Sequence, residues 1–126
     1  MITVLCFGNP YVDEDNLAVE IAQEIKIDGV EFKILQNPDD ILNYKDQDKL
    51  FILDVFRNLD DLIVVKDINK LEENKIFSLH DFDLGFFLKL MKQTGQLKET
   101  IIIGIPNGGD KFLLKEKIKD LMESFK

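Results

Sequence analysis

Three polar side chains are of types that can do chemistry together: Asp15, Asp54 and His80. Asp15 follows an apolar run at residues 2–7, Asp54 lies at the end of a second run at residues 50–55, and His80 stands near the start of a helical pattern. Two carboxylates and an imidazole suit a divalent cation of intermediate character, such as nickel, zinc or cadmium. Three protein ligands also leave coordination positions open for water or a substrate group. The three side chains therefore form a candidate metal site with open coordination positions, which suits a functional site rather than a closed structural one.

Each of these residues also has a plainer explanation. Asp15 can be an acid that the helix dipole favours in a first turn. His80 is the single histidine of the chain, and a histidine at a helix start is often a surface or capping residue. Asp83 shares its helix face and is a rival ligand. Asp54 is harder to explain away, because an acid in an apolar strand is costly to bury without a partner. The residues alone leave both interpretations open.

The elements that must position these side chains follow from the hydrophobic pattern. Continuous apolar runs rich in strand formers alternate with stretches of helical periodicity. Strands that are apolar on both faces and alternate with amphipathic helices predict an α/β three-layer sandwich with a mostly parallel, twisted sheet of about five strands. We predict strands at residues 2–7, 30–35, 50–55, 62–66 and 100–105, a short helical turn near residue 41, and helices at residues 13–26, 79–92 and 112–126.

The predicted order brings the three polar residues to one edge of the sheet. Asp15 lies three residues before the apolar Ala18, and His80 lies four before Leu84, so each faces the core side of its helix. Asp54 ends the third strand, and functional groups of open parallel sheets lie beyond the carboxyl ends of the strands. Ser78 is suited to cap the second helix. No helix separates the third and fourth strands, which predicts a hairpin and an antiparallel edge.

Composition limits the classes of protein that fit. The 126 residues suit a single domain spanning the chain, and the net charge of −8 argues against binding nucleic acid through a broad phosphate-contacting surface. The one cysteine, Cys6, lies within an apolar run and is interpreted as a buried hydrophobe. No apolar run reaches the length of a membrane span, and no signal peptide is evident. We therefore expect a cytoplasmic protein, monomeric by default.

The segment at residues 7–18 resembles the N-terminal signature of the nickel–iron hydrogenase maturation endopeptidases. That family opens with a strand, a Gly-Asn turn and an acidic cluster whose last member recognises metal, and this member matches Asp15. Its second acid ends an apolar strand, as Asp54 does, and its histidine lies in a Ser-x-His segment that is similar to residues 78–80. Two departures stand out: Asn16 and Ala18 replace frequent glycines, and residues 37–40 replace a frequent Gly-Thr pair.

The resemblance implies an activity and a partner. The family removes the C-terminal extension of the hydrogenase large-subunit precursor after nickel insertion, so the expected partner is that precursor. Asp15, Asp54 and His80 are then both the catalytic residues and the ligands of nickel that the substrate presents, for which zinc or cadmium can substitute. The implied enzyme is a metal-dependent, aspartic-type endopeptidase. No serine or cysteine nucleophile is evident.

Two other functions fit parts of the pattern. A receiver domain that accepts a phosphoryl group has similar length and an aspartate at the end of its third strand. It needs an acid pair directly after the first strand and a lysine at the end of the fifth, whereas residues 8–12 intervene here and Pro106 follows the fifth strand. The other is a hydrogenase assembly factor that keeps the fold and binds the precursor without cutting it.

Overall fold

The sheet is the centre of the molecule in the computed structural model, which describes residues 1–7, 16–44, 46–67, 70, 77–78, 84–95 and 99–126. The two predicted site residues Asp15 and His80, and the rival ligand Asp83, lie outside these residues. The elements in chain order are β1 (Ile2–Phe7), α1 (Leu17–Glu24), β2 (Val30–Leu35), a 3₁₀ helix (Pro38–Tyr44), β3 (Lys49–Arg57), β4 (Ile63–Val65), β5 (Phe77–Ser78), α2 (Leu84–Gln93), β6 (Glu99–Pro106) and α3 (Lys111–Ser124).

The strands follow the order β2-β1-β3-β6-β4, and among the residues described a sixth, two-residue strand, β5, pairs with β3. The pairs β1–β2, β1–β3 and β3–β6 are parallel. The pairs β4–β6 and β3–β5 are antiparallel. The prediction of a mostly parallel sheet with an antiparallel edge is therefore confirmed. The predicted hairpin between the third and fourth strands is wrong, because β6 lies between them.

Two apolar layers cover the sheet, which confirms the three-layer arrangement. On one face, alternate residues of β1, β3 and β6 pack against α1 and α3, and Phe51 meets Phe125 edge-on at a centroid distance of 5.1 Å. On the other face, the intervening residues pack against Ile41 of the 3₁₀ helix and against Leu88 and Met91 of α2. Strands buried on both faces need continuous apolar sequence, which is the pattern that predicted them.

Helix limits differ slightly from those predicted. α1 ends at Glu24, because Ile25 turns to an extended conformation with φ −83° and ψ 140°. α3 starts after Asp110, whose side chain accepts hydrogen bonds from the backbone N–H groups of Phe112 and Leu113, as an N-cap residue does. Gly108, with φ +77°, lies in the preceding turn. The beginnings predicted at residues 13 and 79 for the other two helices fall outside the described residues.

Candidate functional site

Asp54 is a fully buried acid in the middle strand of the sheet, with 0% of its surface exposed. Within the described ranges it is the one charged residue of the buried core. Strand alternation places it on the same face as Ile52 and Phe56, the face that α2 covers. The backbone N–H of Val55 donates a 2.8 Å hydrogen bond to Asp54 Oδ1. This bond fixes one carboxylate oxygen and stabilises negative charge on it.

Asp54 lies close to the carboxyl end of the parallel pairing between β1 and β3. The pairing of β1 with β3 stops at Cys6 and Leu53, one residue before Asp54. The prediction that Asp54 ends its strand needs correction, since β3 continues to Arg57. The continuation has a physical reason: β6 and the short β5 supply backbone partners on both sides of Phe56. Asp54 thus lies within a hydrogen-bonded strand rather than at its end.

Gly104 is the partner of Asp54 on β6. A Cβ atom at Gly104 would lie 3.0 Å from Phe56 Cδ2, 3.1 Å from Ile63 Cγ1 and 3.3 Å from Leu59 Cδ1. These apolar side chains therefore fill the space that a side chain at residue 104 would need. The result is a close-packed apolar wall beside Asp54, which strengthens the electrostatic interactions of a buried carboxylate.

Among the described residues, Ser78 and Asn16 are the nearest in sequence to His80 and Asp15 on one side. β5 pairs Ser78 with Phe56, two residues beyond Asp54 on β3. His80 follows Ser78 by two residues in the sequence and lies outside the described residues. Asp15 directly precedes Asn16 in the sequence and also lies outside them. The helix start that Ser78 was predicted to cap is likewise outside the described residues, and Ser78 itself belongs to β5.

The described ranges contain no group of three histidine, cysteine or acidic side chains that could hold a metal ion. Two of the three predicted ligands fall outside those ranges. The metal site of Asp15, Asp54 and His80 therefore stays a prediction. Asp54, a buried carboxylate, is of the donor type that this prediction requires.

Cys6 lies on the opposite face of the sheet from Asp54 and is fully buried. Burial first, and the negative charge of Asp54 second, raise the pKa of the Cys6 thiol far above its ordinary value. The thiol therefore stays protonated, and only the thiolate is a good nucleophile. This agrees with the interpretation of Cys6 as a small buried hydrophobe.

Asn16 belongs to a hydrogen-bonded network that the sequence did not reveal. It occupies the N-cap position of α1, but its side chain makes no capping bond. Instead, Asn16 Nδ2 donates to Glu20 Oε1 at 3.1 Å, and Lys111 Nζ lies 3.7 Å from Glu20 Oε2. A polar residue before an apolar run indicates a cap. Nothing in that pattern shows that the side chain turns towards a residue one helical turn later.

No helix in the described part of the chain is long and apolar enough to cross a membrane. No protein-family profile matches the sequence, and no curated protein matches it.

Solved structures, in contrast, share the fold. The hydrogenase maturating endopeptidase HybD from E. coli matches with a TM-score of 0.64 and 16% identity, over 97% of this chain and 90% of that chain. An endopeptidase from Escherichia coli, a solution structure, matches with a TM-score of 0.68 and 20% identity, over 97% and 90%. The NiFe hydrogenase maturation protease HycI from Thermococcus kodakarensis KOD1 matches with a TM-score of 0.56 and 20% identity, over 98% and 89%. The shared fold agrees with the resemblance at residues 7–18 and 78–80.

Proposed function

We propose that this chain is a hydrogenase maturation endopeptidase, which removes the C-terminal extension from a nickel-containing large-subunit precursor. The observation that carries the proposal is the buried carboxylate of Asp54, near the carboxyl edge of a sheet whose fold matches solved endopeptidases of this kind. Buried charges in proteins are paired or coordinate metal ions. In this fold and at this edge, recognition of a metal ion on the substrate would use this carboxylate.

Asp15, Asp54 and His80 are the proposed ligands, and the nickel belongs to the substrate. A bound divalent ion polarises a carbonyl oxygen or lowers the pKa of a water molecule. The protein contributes position and charge. The Val55 amide holds Asp54 Oδ1, and the packing of Phe56, Leu59 and Ile63 against Gly104 keeps the strand beside it in place. A ligand fixed in this way loses little conformational entropy when it binds.

The topology weighs against the receiver alternative. In receiver-type sheets the strand order is 2-1-3-4-5 and the strands are parallel. Here the fourth strand in chain order runs antiparallel at the sheet edge, and β6 pairs with β3 instead. β6 also ends in Ile105 and Pro106, with no lysine to pair with a phosphoryl group. The assembly-factor alternative shares the fold and is separated from the endopeptidase by experiment.

The central prediction concerns Asp54→Asn. The amide keeps the shape of the side chain and an oxygen for the Val55 N–H, but it loses the negative charge that a metal ligand needs. We expect at least a ~100-fold loss of processing, the scale of a lost charged contact in a transition state, with the fold retained. His80→Ala should behave alike. Purified protein is incubated with nickel-loaded or nickel-free precursor, and the precursor's C-terminus is read by intact mass.

Asp120→Asn is the matched control, because Asp120 is an exposed acid on α3. It should process the precursor at the wild-type rate. Cleavage by Asp54→Asn at that rate would remove Asp54 from the site. Binding of the precursor by the wild-type protein without cleavage would favour the assembly factor over the endopeptidase.

A further inference from the structure

Asn16 is the N-cap residue of α1, but its side chain does not cap the helix. An N-cap asparagine normally accepts a hydrogen bond from a backbone N–H of the first turn. In this chain Asn16 has helical dihedral angles, φ −91° and ψ −10°, and its side chain makes no such bond. Its side chain donates to Glu20 instead. The side-chain oxygen of Asn16 is therefore not used to cap the helix.

The orientation of the Asn16 amide is fixed by its neighbour. Glu20 Oε1 lies 3.1 Å from the amide, and an ionised carboxylate can only accept hydrogen bonds. The amide nitrogen must therefore face Glu20, and the oxygen must point elsewhere. Lys111 Nζ lies 3.7 Å from the other oxygen of Glu20 and helps to hold that carboxylate in place. Rotating the amide by half a turn would bring two oxygens together.

Asn16 Oδ1 is shielded from solvent and, among the residues that the structure describes, has no hydrogen-bond donor. It is the one buried side-chain polar atom of this kind in those ranges. Buried acceptors are nearly always paired in folded proteins, and an exception calls for a reason such as a ligand or a functional role. A donor that enters with a molecule bound at this end of α1 would satisfy this oxygen.

We propose that Asn16 is a further substrate-contacting residue, whose side-chain oxygen accepts a hydrogen bond from a donor brought to the site. The inference rests on the proposed function, because the adjacent Asp15 is one of the proposed metal-recognising acids. It also goes beyond the family resemblance, which has a frequent glycine at this position and hence no side chain to make the contact. The donor is either a backbone N–H of the precursor's extension or a water molecule on the substrate's metal.

The test compares Asn16→Ala with wild type in the processing assay, using nickel-loaded precursor. We expect kcat/KM to fall ~10-fold, the scale of one lost hydrogen bond. A fall carried by KM indicates a peptide N–H as the donor, and a fall carried by kcat indicates a metal-bound water. Asn16→Ser is the second variant, because serine is a good N-cap residue but is too short to place an oxygen where Oδ1 lies. It should show the same fall with a thermal midpoint close to that of wild type.

Asn43→Ala is the matched control, since Asn43 is an exposed asparagine of the 3₁₀ helix. It should leave both kinetic constants unchanged. If wild type processes the precursor and both Asn16 variants stay within twofold of it, the inference is overturned and the proposed function stands. If wild type processes no precursor, the proposed function fails and the role of Asn16 fails with it.

Discussion

Cys6 and Asp54 show how one buried environment produces two different chemistries. Both residues are completely buried, and they lie on neighbouring strands but on opposite faces of the sheet. For the thiol, burial disfavours the charged form, and the nearby carboxylate disfavours it further. Asp54 has the Val55 N–H as a donor to one of its oxygens. The sheet therefore keeps the sulfur protonated on one face while it holds a hydrogen-bonded carboxylate on the other.

The raised pKa of Cys6 predicts a dependence of stability on pH. Below about pH 8.5, the ordinary pKa of a thiol, both the folded and the unfolded chain hold the proton. Above it only the unfolded chain ionises, so the free energy of unfolding falls as pH rises, by about 1.4 kcal/mol per pH unit. Urea unfolding of wild type and of Cys6→Ala between pH 7.5 and 9.5 measures this, and the stability advantage of wild type should shrink. An advantage that does not change with pH would contradict the pKa shift.

Asp54 and Asn16 differ in how far the sequence could predict their environments. Asp54 was predicted as a candidate site residue because an acid within an apolar strand conflicts with burial, and such a conflict can be seen in the sequence alone. The Asn16 network was not predicted, since it depends on which way an amide turns. That direction is set by Glu20 and by Lys111, a residue from a different helix. Contacts between elements distant in sequence leave no local pattern.

At the scale of elements, the position of β6 explains why the predicted hairpin was wrong. Chain proximity suggested that β3 and β4 pair. However, β6 is buried along seven of its eight residues, so it is stable only with neighbours on both sides. β4 has three residues, and Val64 is 37% exposed, which suits an edge strand. Burial of β6 therefore overrides the short connection between β3 and β4.

The helices α1 and α3 are joined by an ion-pair cluster that predicts a response to acid. Lys111 Nζ and Lys115 Nζ lie 2.8 Å and 2.9 Å from the carboxylate of Glu24, and hydrogen bonds from these lysines lower the pKa of Glu24. A lowered pKa in the folded state gives stability that is present above the unfolded-state pKa and is lost as pH falls through the folded one. Glu24→Gln should therefore lower the thermal midpoint slightly at pH 7, and the difference should shrink as the pH is lowered below the ordinary carboxyl pKa of 4.5.

Glu31→Gln provides the comparison, because the ion pair of Glu31 with Lys33 lies within a single strand. It should change the midpoint less than Glu24→Gln does. The effect of Glu24→Gln should also weaken in 1 M salt, where exposed charges are screened. An effect that persists in both acid and salt would assign the contribution of Glu24 to packing rather than to charge.

At the scale of the whole molecule, the sequence predicted the class of fold better than the order in which its strands pair. The alternation of buried strands and amphipathic helices indicated the three layers, because each layer must bury its own apolar face. β5 was not predicted, since a two-residue strand carries no periodicity. Its pairing with Phe56 depends on β3 running past Asp54, which is a property of the assembled sheet.

The order of the sheet predicts that residues 1–98 cannot fold alone. Without β6 and α3, β3 loses its neighbour on one side, and one face loses Leu114, Ile118 and Met122 from its core. An open apolar strand edge promotes pairing between chains. The fragment should show no cooperative thermal transition by circular dichroism and should elute as aggregates in size-exclusion chromatography, whereas residues 1–126 should show both a transition and a compact peak. A monomeric fragment that melts cooperatively would contradict this.

Because β6, which lies between β3 and β4 in the sheet, follows all the other strands in the chain, translation imposes an order on folding. While β1 to β5 emerge from the ribosome, the flank of β3 that β6 will occupy remains open, so the nascent chain is a target for chaperones that hold exposed strands. The surroundings of Asp54 also form late, since Asp54 gains Gly104 and its apolar wall only when β6 inserts. Under the proposed function, the ability to process a precursor therefore depends on the pairing of β6 with β3.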